Sequence, residues 1–128
     1  MTGGQPTAAC SILVVDDNDA LRQMLAWTFE DWGYLVWTAS NCAEAIAAAE
    51  AMAFDFALID YHLPEYDGYW LAQRMAKRLP LARFILFSAD MPGSVYRSAQ
   101  DRSILAVFDK PLQVDLVRNL LDAAKPAR

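Results

Sequence analysis

The chain alternates short runs of aliphatic residues with longer stretches in which apolar residues recur at helical spacing. The first run covers residues 12–15, and it is followed by a pattern that places Leu21, Leu25 and Phe29 on one face of a helix. A short, continuous apolar run that lies between helical patterns is typical of a strand buried on both faces. The beginning of the chain therefore predicts a strand followed by a helix.

The same alternation continues to the end of the chain. The predicted strands cover residues 12–15, 34–38, 54–60, 83–87 and 104–109. The first predicted helix is capped by Asn18 or Asp19 and ends at Gly33. The second is capped by Ser40 or Asn41 and runs to Met52. Three further helices are predicted over residues 69–79, 91–102 and 111–124. Five strand–helix units without an internal linker predict an α/β fold, in which helices cover both faces of a parallel sheet.

Composition agrees with a single packed domain. The chain has 128 residues, of which 55% are hydrophobic and 21% charged, so it can form one core and is not a disordered segment. We expect residues 1–10 to be a flexible leader or the remnant of an expression tag, residues 11–124 to form the domain, and residues 125–128 to be a tail.

Net charge and cysteine content exclude several classes of function. A net charge of −5 makes the chain a poor general binder of nucleic acid. Membrane insertion is not expected, because no apolar stretch approaches the ~20 residues that a spanning helix requires. Cys10 and Cys42 are too few for a disulfide framework or a zinc site. We therefore expect a cytoplasmic protein with reduced thiols.

Candidate catalytic and metal-binding side chains lie where the predicted strands end. Asp16 and Asp17 follow the first strand, Asp60 ends the third, Ser88 follows the fourth and Lys110 follows the fifth. The carboxyl ends of parallel strands meet at one edge of the sheet, which is where such folds bind ligands. Three clustered carboxylates repel one another unless a cation such as Mg²⁺ or Mn²⁺ joins them. A lysine and a hydroxyl beside that cation suit phosphoryl transfer onto an aspartate, and Asp60 is the central one.

Four segments together resemble the receiver domain of two-component response regulators. They are ILVVDDN at 12–18, ALIDYHLPEYDG at 57–68, ILFSA at 85–89 and FDKP at 108–111. The resemblance covers residues 11 to 122. It implies a flavodoxin-like (βα)5 fold, with a doubly wound sheet of five parallel strands in the order 2-1-3-4-5.

The resemblance also implies the role of each residue at the metal and phosphoryl site. Asp60 would be the phosphoacceptor, and Lys110 would pair with a phosphoryl oxygen. The Mg²⁺ ligands would be Asp17, Asp16 mainly through water, Asp60, and the backbone carbonyl of His62. The peptide bond between Lys110 and the following proline would be cis.

Other positions would control switching and the lifetime of the phosphoryl group. Ser88 would be the switch hydroxyl. Receivers usually carry Tyr or Phe three residues before the lysine, but this chain has Val107 there, followed by Phe108, so we expect the aromatic coupling to be absent or shifted. His62 and Asp90 would tune the lifetime of the aspartyl phosphate.

The implied function is signalling rather than ordinary enzyme catalysis. The domain would accept a phosphoryl group from a histidine kinase or phosphotransfer protein and switch the face formed by 91–102, 104–109 and 111–124. An output protein or a covalently linked domain would read that face, and the sequence specifies no oligomeric state. Trp27 and Trp70 are candidate partner contacts because both lie outside the expected core.

Two alternative functions remain open at this point. The first is a vestigial receiver that binds partners without being phosphorylated, which the valine at 107 favours. The second is a Mg²⁺-dependent phosphohydrolase of the haloacid dehalogenase type, because Asp17 and Asp19 after an apolar strand imitate the nucleophile motif of those enzymes. The two chemistries differ in which aspartate is modified, Asp60 or Asp17.

Overall fold

A five-stranded parallel sheet forms the centre of the molecule. The computed structural model describes residues 9–90, 93, 97 and 100–126. The strands are β1 (Ser11–Val15), β2 (Leu35–Ala39), β3 (Phe56–Asp60), β4 (Arg83–Ser88) and β5 (Ile104–Asp109). The helices are α1 (Asp19–Asp31), α2 (Cys42–Ala51), α3 (Gly68–Arg78) and α4 (Val114–Ala124). The strand order is β2-β1-β3-β4-β5, which confirms the predicted fold class.

The sheet separates two apolar layers, because successive side chains of a strand point to opposite faces. In β1, Leu13 and Val15 pack into the layer beneath α2 and α3. Ile12 and Val14 pack into the layer beneath α1 and α4. Every residue of β3 is buried. The central strand is therefore covered on both faces, and the side chain at its carboxyl end has a rigid support.

Three helices begin at a side-chain cap. Asn18 accepts a hydrogen bond from the Leu21 N–H and Asn41 accepts one from the Glu44 N–H. Asp67 does the same for the Trp70 N–H and begins α3. Each cap satisfies a backbone donor that the helix leaves unpaired. Of the alternatives in the sequence, Asn18 and Asn41 are thus the cap residues of α1 and α2.

Several element boundaries differ from the prediction. The last helix begins at Val114, not at residue 111, because Gln113 is extended with φ −89° and ψ 97° and is its N-cap. The third strand begins at Phe56 instead of residue 54. Most of the helix predicted over 91–102 lies outside the described residues, and residues 100–102 form a turn.

Among the residues that the structure describes, no helix is both long enough and apolar enough to cross a bilayer.

Candidate functional site

The residues with predicted roles at the metal and phosphoryl site lie at the carboxyl edge of the sheet. Val15 pairs with Ile59 between β1 and β3, so Asp16 lies beside Asp60. Ser88 ends β4, where it pairs with Asp109 at the end of β5. Parallel pairing thus brings together residues that are far apart in sequence: Ser88 lies 28 positions after Asp60, and Lys110 lies 50 positions after it.

Three carboxylates form a cluster with the chemistry of a divalent cation site. Oxygens of Asp16, Asp17 and Asp60 all lie within 4.8 Å of one another. Asp16 is completely buried and Asp60 is 4% exposed, whereas Asp17 is open to solvent. Among the described residues, Oδ2 of Asp16 has no hydrogen-bond partner. A buried carboxylate oxygen that accepts no hydrogen bond and lies beside two further carboxylates fits a hard cation such as Mg²⁺.

Burial changes the acidity of Asp16. The pKa of its carboxyl is raised from 3.8 to about 6, mainly because burial removes solvent from the charged form. Repulsion from Asp60 and Asp17 contributes to this rise, whereas a hydrogen bond from the Asn18 N–H and the Lys110 ammonium oppose it. Without a cation, Asp16 therefore accepts a proton in mildly acidic solution.

We expect Asp16 to make the metal-free protein more stable, relative to Asp16→Asn, as the pH falls from about 7 towards about 4.5. Between pH 3.8 and about 6, Asp16 binds a proton in the folded state but not in the unfolded chain, so protonation favours folding, by on the order of 2 kcal/mol. Urea unfolding in a chelator measures the effect. The Asp16→Asn variant serves as reference, because it retains the other titrating groups, and saturating Mg²⁺ should remove the difference. Equal pH slopes for the two proteins would contradict the prediction.

Lys110 completes the charged part of the site. Its Nζ lies 3.2 Å from Oδ2 of Asp60 and 3.8 Å from Oδ2 of Asp16, and 4.9 Å from the centre of the Phe87 ring. Its backbone N–H donates to the carbonyl of Ser88 at 2.8 Å. The peptide bond that follows it is cis, as expected. The ammonium therefore faces the carboxylate that the sequence indicates as the nucleophile.

Ser88 and His62 both connect the site to Asp90. The buried hydroxyl of Ser88 donates to the backbone carbonyl of Asp90. The His62 N–H donates to Oδ1 of Asp60 at 3.0 Å, and its ring Nε2 lies 2.6 Å from Oδ1 of Asp90. Both side chains of this pair are partly exposed, with 48% for His62 and 77% for Asp90. They join the loop after β3 to the loop after β4.

Val107 and Phe108 lie on opposite faces of β5. Val107 packs against the layer beneath α2 and α3, whereas Phe108 packs against the layer beneath α1 and α4. A shift of one residue along a strand moves a side chain to the other face. In this structure, therefore, the aromatic ring of Phe108 does not share a face with Val107.

Two residues without a predicted role support the site. Arg22 donates from Nη1 to the backbone carbonyl of Asp16 at 2.8 Å and from Nη2 to Oδ1 of Asp19 at 2.6 Å. The spacing of Arg22 and Asp19 on a helix could have indicated the second contact. Gly68 begins α3 against the backbone of Asp60, and a Cβ placed there would lie 2.6 Å from the Asp60 carbonyl oxygen.

Comparison with known proteins gives one consistent family. Residues 12–124 match the response regulator receiver domain. A response regulator receiver protein of Anaeromyxobacter sp. (strain Fw109-5) is 33% identical over 108 residues, which is 84% of this chain and 45% of that protein. Sporulation initiation phosphotransferase F of Bacillus subtilis (strain 168) is 26% identical over 117 residues, 91% of this chain and 94% of that protein. The chain thus spans less than half of the first relative and nearly all of the second.

A solved structure shows the same fold. The crystal structure of a response regulator protein from Burkholderia pseudomallei contains a phosphorylated aspartic acid, a calcium ion and citrate. It matches with a TM-score of 0.80 at 28% sequence identity, covering 88% of this chain and 66% of that one.

Proposed function

Because the chain belongs to the response regulator receiver family, we propose that it accepts a phosphoryl group on Asp60 from a phosphohistidine of a histidine kinase or phosphotransfer protein. The observation that carries this proposal is the position of the Asp60 carboxylate. It ends the central strand, 3.2 Å from the Lys110 ammonium and within the cluster that includes Asp16 and Asp17. We propose residues 11–124 as the receiver unit. The family favours this function over that of a phosphohydrolase.

In the proposed transfer, a carboxylate oxygen of Asp60 attacks phosphorus while the bond from phosphorus to the donor's histidine nitrogen breaks. The electron pair of that bond leaves with the imidazole. Lys110 balances negative charge on the phosphoryl oxygens, and the Ser88 hydroxyl donates to one of them after leaving the Asp90 carbonyl. These roles rest on the distances described above and on the buried position of Ser88.

The cation of the proposed site is Mg²⁺, with Mn²⁺ as a substitute. Asp16, Asp17, Asp60 and the backbone carbonyl of His62 would hold it, and the lack of a hydrogen bond to Oδ2 of Asp16 supports this assignment. When bound, Mg²⁺ neutralises phosphoryl oxygens and the mutual repulsion of the carboxylates. The calcium ion and phosphorylated aspartic acid of the Burkholderia protein support the same chemistry.

We propose α1 as the element that contacts the phosphodonor protein. Its outer face exposes Met24 (46%) and Trp27 (65%), and α1 begins directly after the carboxylates that follow β1. Large apolar side chains open to solvent are typical of protein-binding surfaces. Output would pass through the face that includes β5 and α4, to a partner protein or a linked domain.

We expect one phosphoryl adduct per chain after incubation with acetyl phosphate and Mg²⁺, and none when a chelator replaces the cation. Intact mass measured in the cold gives the stoichiometry, and Mg²⁺ titration by calorimetry gives binding independently. Absence of both the adduct and cation binding in a folded protein would support the vestigial interaction module instead. Cation binding without an adduct calls for the same measurement with a phosphorylated histidine donor, and failure there contradicts the proposal.

We further propose that the pair of His62 and Asp90 slows hydrolysis of the phosphoryl group. The pair joins the two loops beside Asp60, so His62→Ala or Asp90→Ala should open a path for water and shorten the adduct's lifetime several-fold. The double variant should decay no faster than the faster single variant, because one contact is lost in all three. The decay of intact mass measures this, with Asp109→Asn as control. Unchanged decay in both single variants would contradict the proposal.

A further inference from the structure

An ordered stack of two aromatic rings and one guanidinium lies at the start of helix α3, on its outer face. The rings of Tyr66 and Trp70 are parallel within 11° with centroids 3.7 Å apart. The guanidinium carbon of Arg74 lies 5.0 Å from the centre of the Trp70 ring. Trp70 and Arg74 are four positions apart on α3, a spacing that aligns side chains along a helix, and Tyr66 lies in the loop just before it. The Asp67 cap also fixes the start of the helix through its bond to the Trp70 N–H, at 2.7 Å.

An open groove of about 210 Å³ lies along this stack, lined by Trp70, Gln73, Arg74 and Lys77. We call these four residues, together with Tyr66, the Trp70 surface. The inner face of α3 is used by the core, where Leu71 and Met75 are buried. Tyr66 remains 51% exposed. The Trp70 surface includes none of the clustered carboxylates, so it is separate from the proposed phosphorylation site.

The charge of α3 is opposite to that of the whole protein. The helix contains three basic residues and no acidic one, in a chain of net charge −5. Within the described residues, no ion pair joins Arg74, Lys77 or Arg78 to a carboxylate. The basic groups of this face are therefore available to a ligand with negative charge.

We propose that the Trp70 surface binds an acidic segment of a partner protein. Arginine can pair with a carboxylate through two parallel hydrogen bonds, and stacking on Trp70 holds Arg74 in place, which reduces the entropy lost on binding. Tyr, Trp and Arg are the residue types that contribute most to protein interfaces. An acidic peptide suits this site better than nucleic acid, because the three basic residues of α3 are fewer than the roughly 6–10 phosphate contacts through which proteins typically hold a nucleic-acid backbone.

Titration of the isotope-labelled chain with an octaglutamate peptide at low ionic strength tests this proposal. We expect saturable shifts of amide resonances confined to residues 66–78, weakened by added salt. The Arg74→Glu/Lys77→Glu variant should bind about tenfold more weakly or not at all. Arg118→Glu is the control for loss of one stacked arginine: Arg118, on α4, lies 5.0 Å from the centre of the Trp32 ring, so its replacement removes an equivalent contact elsewhere. The milder Arg74→Gln/Lys77→Gln variant repeats the test if charge reversal impairs folding.

Four results would overturn the proposal: no shifts, shifts that both charge variants retain, tighter binding of an oligothymidylate of equal charge, or the same shifts caused by raising the protein concentration alone. The third result would indicate nucleic acid and the fourth a second copy of the chain. The same titration on Asp60→Asn keeps the outcome independent of phosphorylation.

Discussion

Replacing Asp60 by asparagine is expected to abolish phosphorylation by acetyl phosphate. An amide carries no negative charge and is a poor nucleophile towards phosphorus, whereas the rest of the site stays in place because β3 is buried along its whole length. The loss should be complete, since neither Asp16 nor Asp17 ends the central strand. Intact mass in the cold with Mg²⁺ measures the adduct, and urea unfolding verifies that the variant is folded.

Asp109→Asn is the matched control for this experiment. Asp109 also ends a strand at the same edge of the sheet, but it is exposed and lies outside the cluster of Asp16, Asp17 and Asp60. It should accept the adduct at the wild-type rate. Normal labelling of Asp60→Asn, or an adduct recovered on the peptide that holds Asp17, would contradict the assignment. The second result would favour a phosphohydrolase.

Gly68→Ala is expected to damage both stability and phosphorylation. A Cβ at this position would lie 2.6 Å from the Asp60 carbonyl oxygen and 2.9 Å from the Tyr61 Cα. Both atoms belong to the backbone, so the strand end or the helix start must move. The Gly68 N–H also donates to the Tyr61 carbonyl at 2.7 Å, and this bond would be distorted. We expect unfolding to require about 1–3 kcal/mol less free energy and phosphorylation to slow markedly.

A second glycine, Gly33, provides a control that distinguishes the effect of backbone strain from a displacement of Asp60. Gly33 has φ +95°, and a Cβ added there would meet no atom within 4 Å, so Gly33→Ala costs backbone strain of about 1–2 kcal/mol far from the site. Its phosphorylation rate should match the wild type. Urea unfolding and the time course of the adduct compare the two variants. Equal phosphorylation rates for Gly68→Ala and Gly33→Ala would show that Gly68 does not position Asp60.

Much of the fold and of the carboxylate cluster could be predicted because both depend on pattern. Apolar runs indicated the strands, and parallel topology then requires Asp16 and Asp60 to meet at one edge. The face of Phe108 also follows from strand periodicity, since it lies one position after Val107. Contacts made by long side chains could not be predicted. The bond from Arg22 to the Asp16 carbonyl depends on a rotamer, and the close approach of Gly68 to Asp60 depends on how α3 packs.

Pairing between β3 and β4 matches Asp60 with Phe87 and Ile59 with Leu86. This register fixes the position of the Asp60 carboxylate at the edge of the sheet. One residue inserted within β3 would move each side chain beyond the insertion to the opposite face of the sheet and misplace the carboxylate at the edge. An insertion in the turn before β4 should leave this pairing, and hence the position of Asp60, unchanged. We therefore expect changes of length to be tolerated in the turns at the edge of the sheet opposite the aspartates, but not within the strands.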